Sequence, residues 1–251
     1  MANLLIDLGN SNCKAAFHSN GELVCVYKDT GEDLEQFLNF LDIQWKEKFG
    51  EEKIDVIVFS NVREENAKIE NLLNLKCREL VVLNEHTRLP KTLTYAFCPT
   101  GLGGDRLAGA LAVSMLFPNE DCLKFDFGTA LTIDFIDKEG FYAGGNISLG
   151  LQTRLKALNT FTKRLPLITP NKEFEKIGVS TSGAMTAGVV LGLIFEVEGY
   201  IKNNPARKVI FTGGDSYYFA EKLKNTIFVI PNLVLIGLGQ IANYYADCKN
   251  Y

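Results

Sequence analysis

One short pattern occurs twice and limits the folds open to this chain: Asp7-Leu8-Gly9-Asn10-Ser11 and Asp126-Phe127-Gly128-Thr129-Ala130. Each copy ends a short apolar, strand-like run, so each sits where a strand turns back on itself. Such a turn presents backbone N–H groups to anionic oxygens, and its carboxylate can hold a hydrated cation nearby. A single copy reads more simply as a polar turn closed by an Asx-type hydrogen bond. Two copies, one in each part of the chain, predict two similar halves facing one phosphate chain.

The surroundings of the two turns repeat as well. Residues 3–8, 12–18 and 22–28 read as three consecutive strands, joined by the Gly9-Asn10 and Asn20-Gly21 turns. Leu34, Phe37, Leu38, Leu41 and Trp45 keep the spacing of one buried helix face. A strand over 54–59, a helix over 63–75 and a strand over 79–83 complete a βββαβαβ order. The long loop 84–103, with Pro90 and Pro99, leads into a helix over 105–116; loops of this length are more often functional than not. Strands at 121–126, 130–136 and 139–147, helices, strands at 208–212 and 227–230 and a terminal helix repeat the order. The predicted fold is α/β with duplicated halves, 1–117 and 118–251.

Composition removes several classes of function. At 251 residues and 47% apolar content, the chain can bury one large core or two medium ones. A net charge of −4 argues against a broad nucleic-acid footprint. The purely apolar stretches fall short of the roughly 20 residues a membrane helix needs, and no basic leader precedes Asp7. Neither nucleic acid nor membrane is therefore expected as a partner. Six cysteines without a C-x-x-C pair, and only two histidines, make zinc improbable and point to a reducing, cytoplasmic setting.

Three further segments carry chemistry. Gly103-Gly104-Asp105-Arg106 ends the long loop at a helix start. Asp105 there is either a helix N-cap or a base that accepts a hydroxyl proton, with Arg106 neutralising an anion and the glycines clearing space. Thr212-Gly213-Gly214 follows an apolar strand, where its backbone can approach a nucleoside or simply turn into a helix. The helix 181–201 carries Ala184, Gly188 and Gly192 at four-residue spacing, a stripe for packing within the chain or for a dimer seam. No P-loop motif is present. Gly237-Leu238-Gly239-Gln240-Ile241-Ala242 matches G-x-G-x-x-A, but only nine residues follow it, so it reads as close helix packing. The basic stretch Arg154, Lys156, Lys163 and Arg164 reads as a solvated helix face.

The strand-end turns and Thr212-Gly213-Gly214 resemble the phosphate and adenosine motifs of the superfamily containing acetate kinase, sugar kinases, actin and heat-shock chaperone ATPases. More specifically, D-L-G-N-S-N-C-K at 7–14, G-G-D-R at 103–106, D-F-G-T-A-L-T at 126–132, G-G-N-I-S-L-G at 144–150, S-T-S-G-A-M at 180–185 and T-G-G at 212–214 together resemble type III pantothenate kinase. The resemblance spans nearly the whole chain. It implies two actin-like ATPase (ribonuclease H-like) domains with an interdomain cleft, assembled as a homodimer, and ATP-dependent phosphorylation of pantothenate. It further implies ATP contacts from Asp7, Leu8, Gly9, Asn10, Ser11, Asn12, Cys13, Lys14 and Thr129, with Mg²⁺ bridging the β and γ phosphates. Pantothenate contacts would come from Gly103, Gly104, Asp105 and Arg106, with Asp105 as proton acceptor, and from Thr181. Asp126 matches the position that holds a monovalent cation, K⁺ or NH₄⁺. Two departures are visible. Leu149-Gly150 stands where the family usually has Pro-Gly, and Ala96 stands at the usual substrate-contacting tyrosine, leaving Tyr95 or Phe97 for that contact. Two other readings stay open: a phosphohydrolase of the same superfamily, in which water replaces the alcohol, and a non-catalytic regulatory member.

Overall fold

The computed structural model describes residues 2–247 except 65, 85–86, 91–93, 96–100 and 171–172, with only the backbone described at Thr94 and Tyr95. The chain forms two compact units: residues 1–116 together with 232–251, and residues 117–231.

In the first unit, β1 (Ala2–Leu8), β2 (Cys13–Ser19) and β3 (Glu22–Asp29) form an antiparallel meander. After α1 (Leu34–Phe49), β4 (Ile54–Asn61) pairs parallel to β1, and β5 (Cys77–Val82) follows α2 (Ala67–Lys76), giving the order β3-β2-β1-β4-β5. Alternation along the strands gives the sheet two different faces. Leu4, Ile6, Leu8, Ala15, Phe17, Ile57 and Phe59 meet Phe37, Leu41, Trp45, Ile69 and Leu73 of α1 and α2 in one core. Asp7, Lys14 and Ser60 occupy adjacent register positions on the opposite face, the side served by α3 (Gly104–Leu116).

The helix expected over 63–75 begins later, at Ala67. The side chain of Asn66 caps it, accepting from Ile69 N–H at 3.2 Å, and this leaves Arg63 in the preceding loop. Thr94–Tyr95 forms a two-residue strand, β6, within the long loop.

The second unit repeats the plan with one more helix. Strands β7 (Cys122–Phe127), β8 (Ala130–Ile136) and β9 (Phe141–Leu149) form the meander, followed by α4 (Leu151–Phe161) and α5 (Thr181–Asn203). Strand β10 (Lys208–Gly213) pairs parallel to β7, and β11 (Ile227–Val229) pairs parallel to β10 after α6 (Ser216–Ala220). Leu123, Phe125, Phe127, Leu131, Ile133 and Phe211 pack against Leu151, Leu155, Val190, Leu193 and Val197 of α4 and α5. By length and composition α5 is apolar enough to span a membrane, but half of that stretch is buried within the fold.

The structure departs from the expected halves at the terminal helix α7 (Leu233–Asp247), which belongs to the first unit. The reason is the glycine pattern. A Cβ at Gly237 would overlap the carbonyl oxygen of Ala108 in α3, and one at Gly239 would sit 3.0 Å from the buried His18 ring. The G-x-G-x-x-A match is thus close packing of α7 on α3 and on β2. Gly237→Ala forces these helices apart and is expected to cost about 1–3 kcal/mol of stability, read as a lowered urea midpoint.

Candidate active site

The first turn grows directly out of sheet geometry. Asp7, the penultimate residue of β1, stands between Lys14 on β2 and Ser60 on β4, so a carboxylate, an ammonium and a hydroxyl share one face. The turn beyond it is tight, with Gly9 N–H donating to Asn12 O at 2.9 Å, and Asn10, Ser11 and Asn12 are exposed. That combination suits phosphate oxygens: small polar side chains and free approach to the backbone. Leu8 and Cys13 bracket the turn but are buried in the core, so only their main chain is available to a ligand. Burial, then the charges of Asp7 and Asp29, pushes the Cys13 thiol up to about 12, which makes it an inert packing group.

Arg63 holds this turn in place, a role that reading it into a helix concealed. Its guanidinium donates to the carbonyls of Gly9 (2.8 Å), Gly31 (2.7 Å) and Thr30 (3.2 Å). Three carbonyls from two turns are thereby tied to one planar donor set. Gly31 is at φ +69°, and a Cβ there would lie 3.1–3.2 Å from Cys13 Cβ, Leu8 Cδ1 and Arg63 Nη2. Asn66, as the helix cap, was the signal in the sequence that Arg63 lies outside α2.

The segment 103–106 forms the start of α3. Gly103 O accepts from Leu107 N–H at 3.1 Å, so Gly103 is the capping position and Asp105 stands inside the first turn. The Asp105 carboxylate curls back and accepts from Arg106 N–H at 2.8 Å. A Cβ at residue 103 would lie 2.6 Å from Asp105 Oδ1, so glycine there leaves room for the carboxylate to lie across the helix end. Gly104 is buried, while Asp105 and Arg106 are half-buried, accessible to a small acceptor molecule.

The second unit builds the matching turn. Asp126 pairs with Thr132 on β8 and with Thr212 on β10. Gly213, at φ +90°, would place a Cβ 2.5 Å from Asp126 Oδ1, so glycine is required beside this carboxylate. Thr132 Oγ1 is buried without a hydrogen-bond partner among the described residues. An anionic oxygen beside an unsatisfied neutral hydroxyl is a donor set that fits a monovalent cation. Thr129 is exposed; its carbonyl accepts from Gly150 N–H (3.0 Å) and Thr153 Oγ1 (2.6 Å). A Cβ at residue 150 would overlap Gly128 O, so the glycine of Leu149-Gly150 is required whatever precedes it.

Thr181 is exposed at the first position of α5, whose cap Ser180 accepts from Gly183 N–H at 3.1 Å. The side chains of Tyr95 and Phe97 lie outside the described residues, as does Ala96.

Comparison with known proteins identifies the family of the chain. The family model for type III pantothenate kinase matches residues 3–203. The chain belongs to the type III pantothenate kinase family. A type III pantothenate kinase of Phocaeicola vulgatus is 42% identical over 246 residues, covering 96% of this chain and 98% of that one. Among solved structures, a Campylobacter jejuni protein named as a Baf family transcriptional activator aligns with a TM-score of 0.65 at 23% identity, covering 97% of this chain and 99% of that one. MreB5 of Spiroplasma citri bound to ADP aligns with a TM-score of 0.53 at 10% identity, covering 99% and 98%. The expected actin-like ATPase fold is therefore the fold of this type III pantothenate kinase family member.

Replacing Arg63 by Ala frees the Gly9 turn from three carbonyl contacts. The KM for ATP is expected to rise about tenfold or more, since each charge-assisted hydrogen bond contributes roughly 1.5–3 kcal/mol. The KM for pantothenate should change little, as steady-state kinetics with each substrate varied in turn will establish.

Proposed function

We propose that this protein transfers the γ-phosphoryl group of ATP to the terminal hydroxyl of pantothenate, the first step of coenzyme A biosynthesis. Membership of the family supports the substrates. The observation that carries the reaction is the Asp105 carboxylate, held across a helix end that glycine leaves open, with Arg106 as its neighbour.

In this reading, the turn from Asp7 to Lys14 and the Thr129 turn bind ATP. The exposed Asn10, Ser11 and Asn12 meet phosphate oxygens, and Lys14 adds a point charge beside Asp7. Asp7, half-exposed at a strand end, suits a hydrated Mg²⁺, which when bound neutralises charge on the β and γ phosphates. Asp126 with Thr132 is the seat for K⁺ or NH₄⁺. Gly103, Gly104 and Arg106 receive pantothenate, with Arg106 opposite its carboxylate and Tyr95 as the aromatic contact.

Asp105 takes the proton from the attacking hydroxyl as its oxygen bonds to the γ-phosphorus and ADP leaves. A carboxylate is basic enough for this, because the transition state is loose and orientation contributes more than basicity.

We assign the working form as a homodimer. Phe161, Ile177, Val179 and Phe195 of the second unit are between 63% and 97% exposed, and Ala184 and Gly188 of α5 also face outward. A Cβ at Gly188 would meet nothing within 4 Å among the described residues, so this position of the small-residue stripe is open to a partner. An exposed apolar face of this kind is a protein-contact surface, and Thr181 at its edge would reach pantothenate bound to the partner copy. The four described cysteines are free thiols, in keeping with a cytoplasmic setting.

Asp105→Asn is expected to lower kcat by about 10²-fold or more in a pantothenate-dependent ADP-release assay, the usual loss when a general base is removed. Near-full turnover in that variant would reject the assignment. Phosphate release from ATP without pantothenate would indicate hydrolysis instead. The same assay with Na⁺, K⁺ or NH₄⁺ as sole monovalent ion should show activation by K⁺ or NH₄⁺, lost in Asp126→Asn. Phe195→Asp places a charge on the outward face of α5 and should convert the dimer to monomer in light scattering.

A further inference from the structure

Ser60 is the penultimate residue of β4 and pairs in register with Asp7. Its side chain is fully buried, and its hydroxyl oxygen has no hydrogen-bond partner among the described residues. A hydroxyl withdrawn from water without compensation destabilises a fold, and such groups are rare enough to require a reason. The neighbours of this hydroxyl indicate one. A Cβ at Gly104 would lie 3.1 Å from Ser60 Oγ and 3.3 Å from Leu83 Cδ2, so the hydroxyl abuts the first turn of α3, one residue from Asp105. On the adjacent strand stands Asp7, with Lys14 beyond it.

We infer that Ser60 is a positioning residue for phosphoryl transfer: its hydroxyl braces the first turn of α3 against the end of β1 and sets where the Asp105 carboxylate stands relative to Asp7. The inference rests on Asp105 being the proton acceptor. A hydroxyl is suited to the task because it donates and accepts at once. It can give its proton to the Asp7 carboxylate while receiving the N–H of Gly104 or Asp105, first-turn donors to which helix geometry supplies no carbonyl partner. Hydrogen bonds completed only as the phosphoryl group transfers stabilise the transition state without deepening the substrate-bound ground state. An apolar residue would pack as well beneath Gly104 and remove the desolvation cost, yet could do neither.

Stability and rate should therefore move in opposite directions. In Ser60→Ala the melting temperature is expected to equal or exceed that of the parent, while kcat falls about tenfold or more and both KM values stay within about twofold. Ser60→Cys, similar in size but a weak hydrogen-bonding group, should lose kcat alongside it. A kcat within about twofold of the parent in either variant overturns the inference. So does a lowered melting temperature with an unchanged kcat per folded molecule, which would mark a purely structural residue. Asp105→Asn separates the two levels of the argument. If it is inactive while Ser60→Ala is not, only the role of Ser60 falls; if it keeps its turnover, the base assignment falls and the role of Ser60 with it.

Discussion

The parallel pairing of β1 with β4 is the constraint on which the first unit depends. Asp7 is opposite Ser60 in this register, and the same alternation buries Ile6, Leu8 and Phe59 against α1 and α2. A shift by one residue would turn Asp7 into that apolar core and expose its neighbours instead. The carboxylate is therefore fixed by the burial of the residues on either side of it. β7 and β10 do the same for Asp126 and Thr212, with Phe125, Phe127 and Phe211 as the buried set.

Around these two carboxylates, glycines do what side chains cannot. Gly103 makes room for Asp105, Gly213 for Asp126, and Gly150 for the carbonyl of Gly128. Each is a close approach of backbone to a polar oxygen. Arg63 complements them by tying Gly9 to the Thr30–Gly31 turn, so the loop proposed to bind phosphate is stiffened by a cation that itself bonds only main-chain carbonyls there. Preorganising a turn in this way lowers the ordering cost of binding.

Much of this was legible in the sequence, for identifiable reasons. Short apolar runs ending in Asp-x-Gly located both meanders, and the 3.6-residue spacing of Leu34 to Trp45 located α1, because burial dictates such patterns. Residues 103–106 were legible as a motif; in the structure Gly103 takes the capping position, and the Asp105 side chain accepts from Arg106 N–H inside the first turn. Arg63 was misread because the charged residues from 63 onward suit the solvated face of a helix; the Asn66 side chain, by capping Ile69 N–H, starts the helix later. Ser60 gave no signal, since one serine in an apolar strand is unremarkable until its surroundings are known.

The sequence by itself determined the strand and helix order, the two carboxylate turns and the family, because local periodicity and short motifs are properties of neighbouring residues. Only the tertiary structure decided that α7 joins the first unit, that Ala184 and Gly188 of α5 face outward, and that Ser60 stands between Asp7 and Gly104. Those facts depend on residues distant in the chain meeting in space. Ala108 must approach Gly237 before the glycine pattern acquires a partner, and the first turn of α3 must settle on β4 before the Ser60 hydroxyl is buried without one among the described residues.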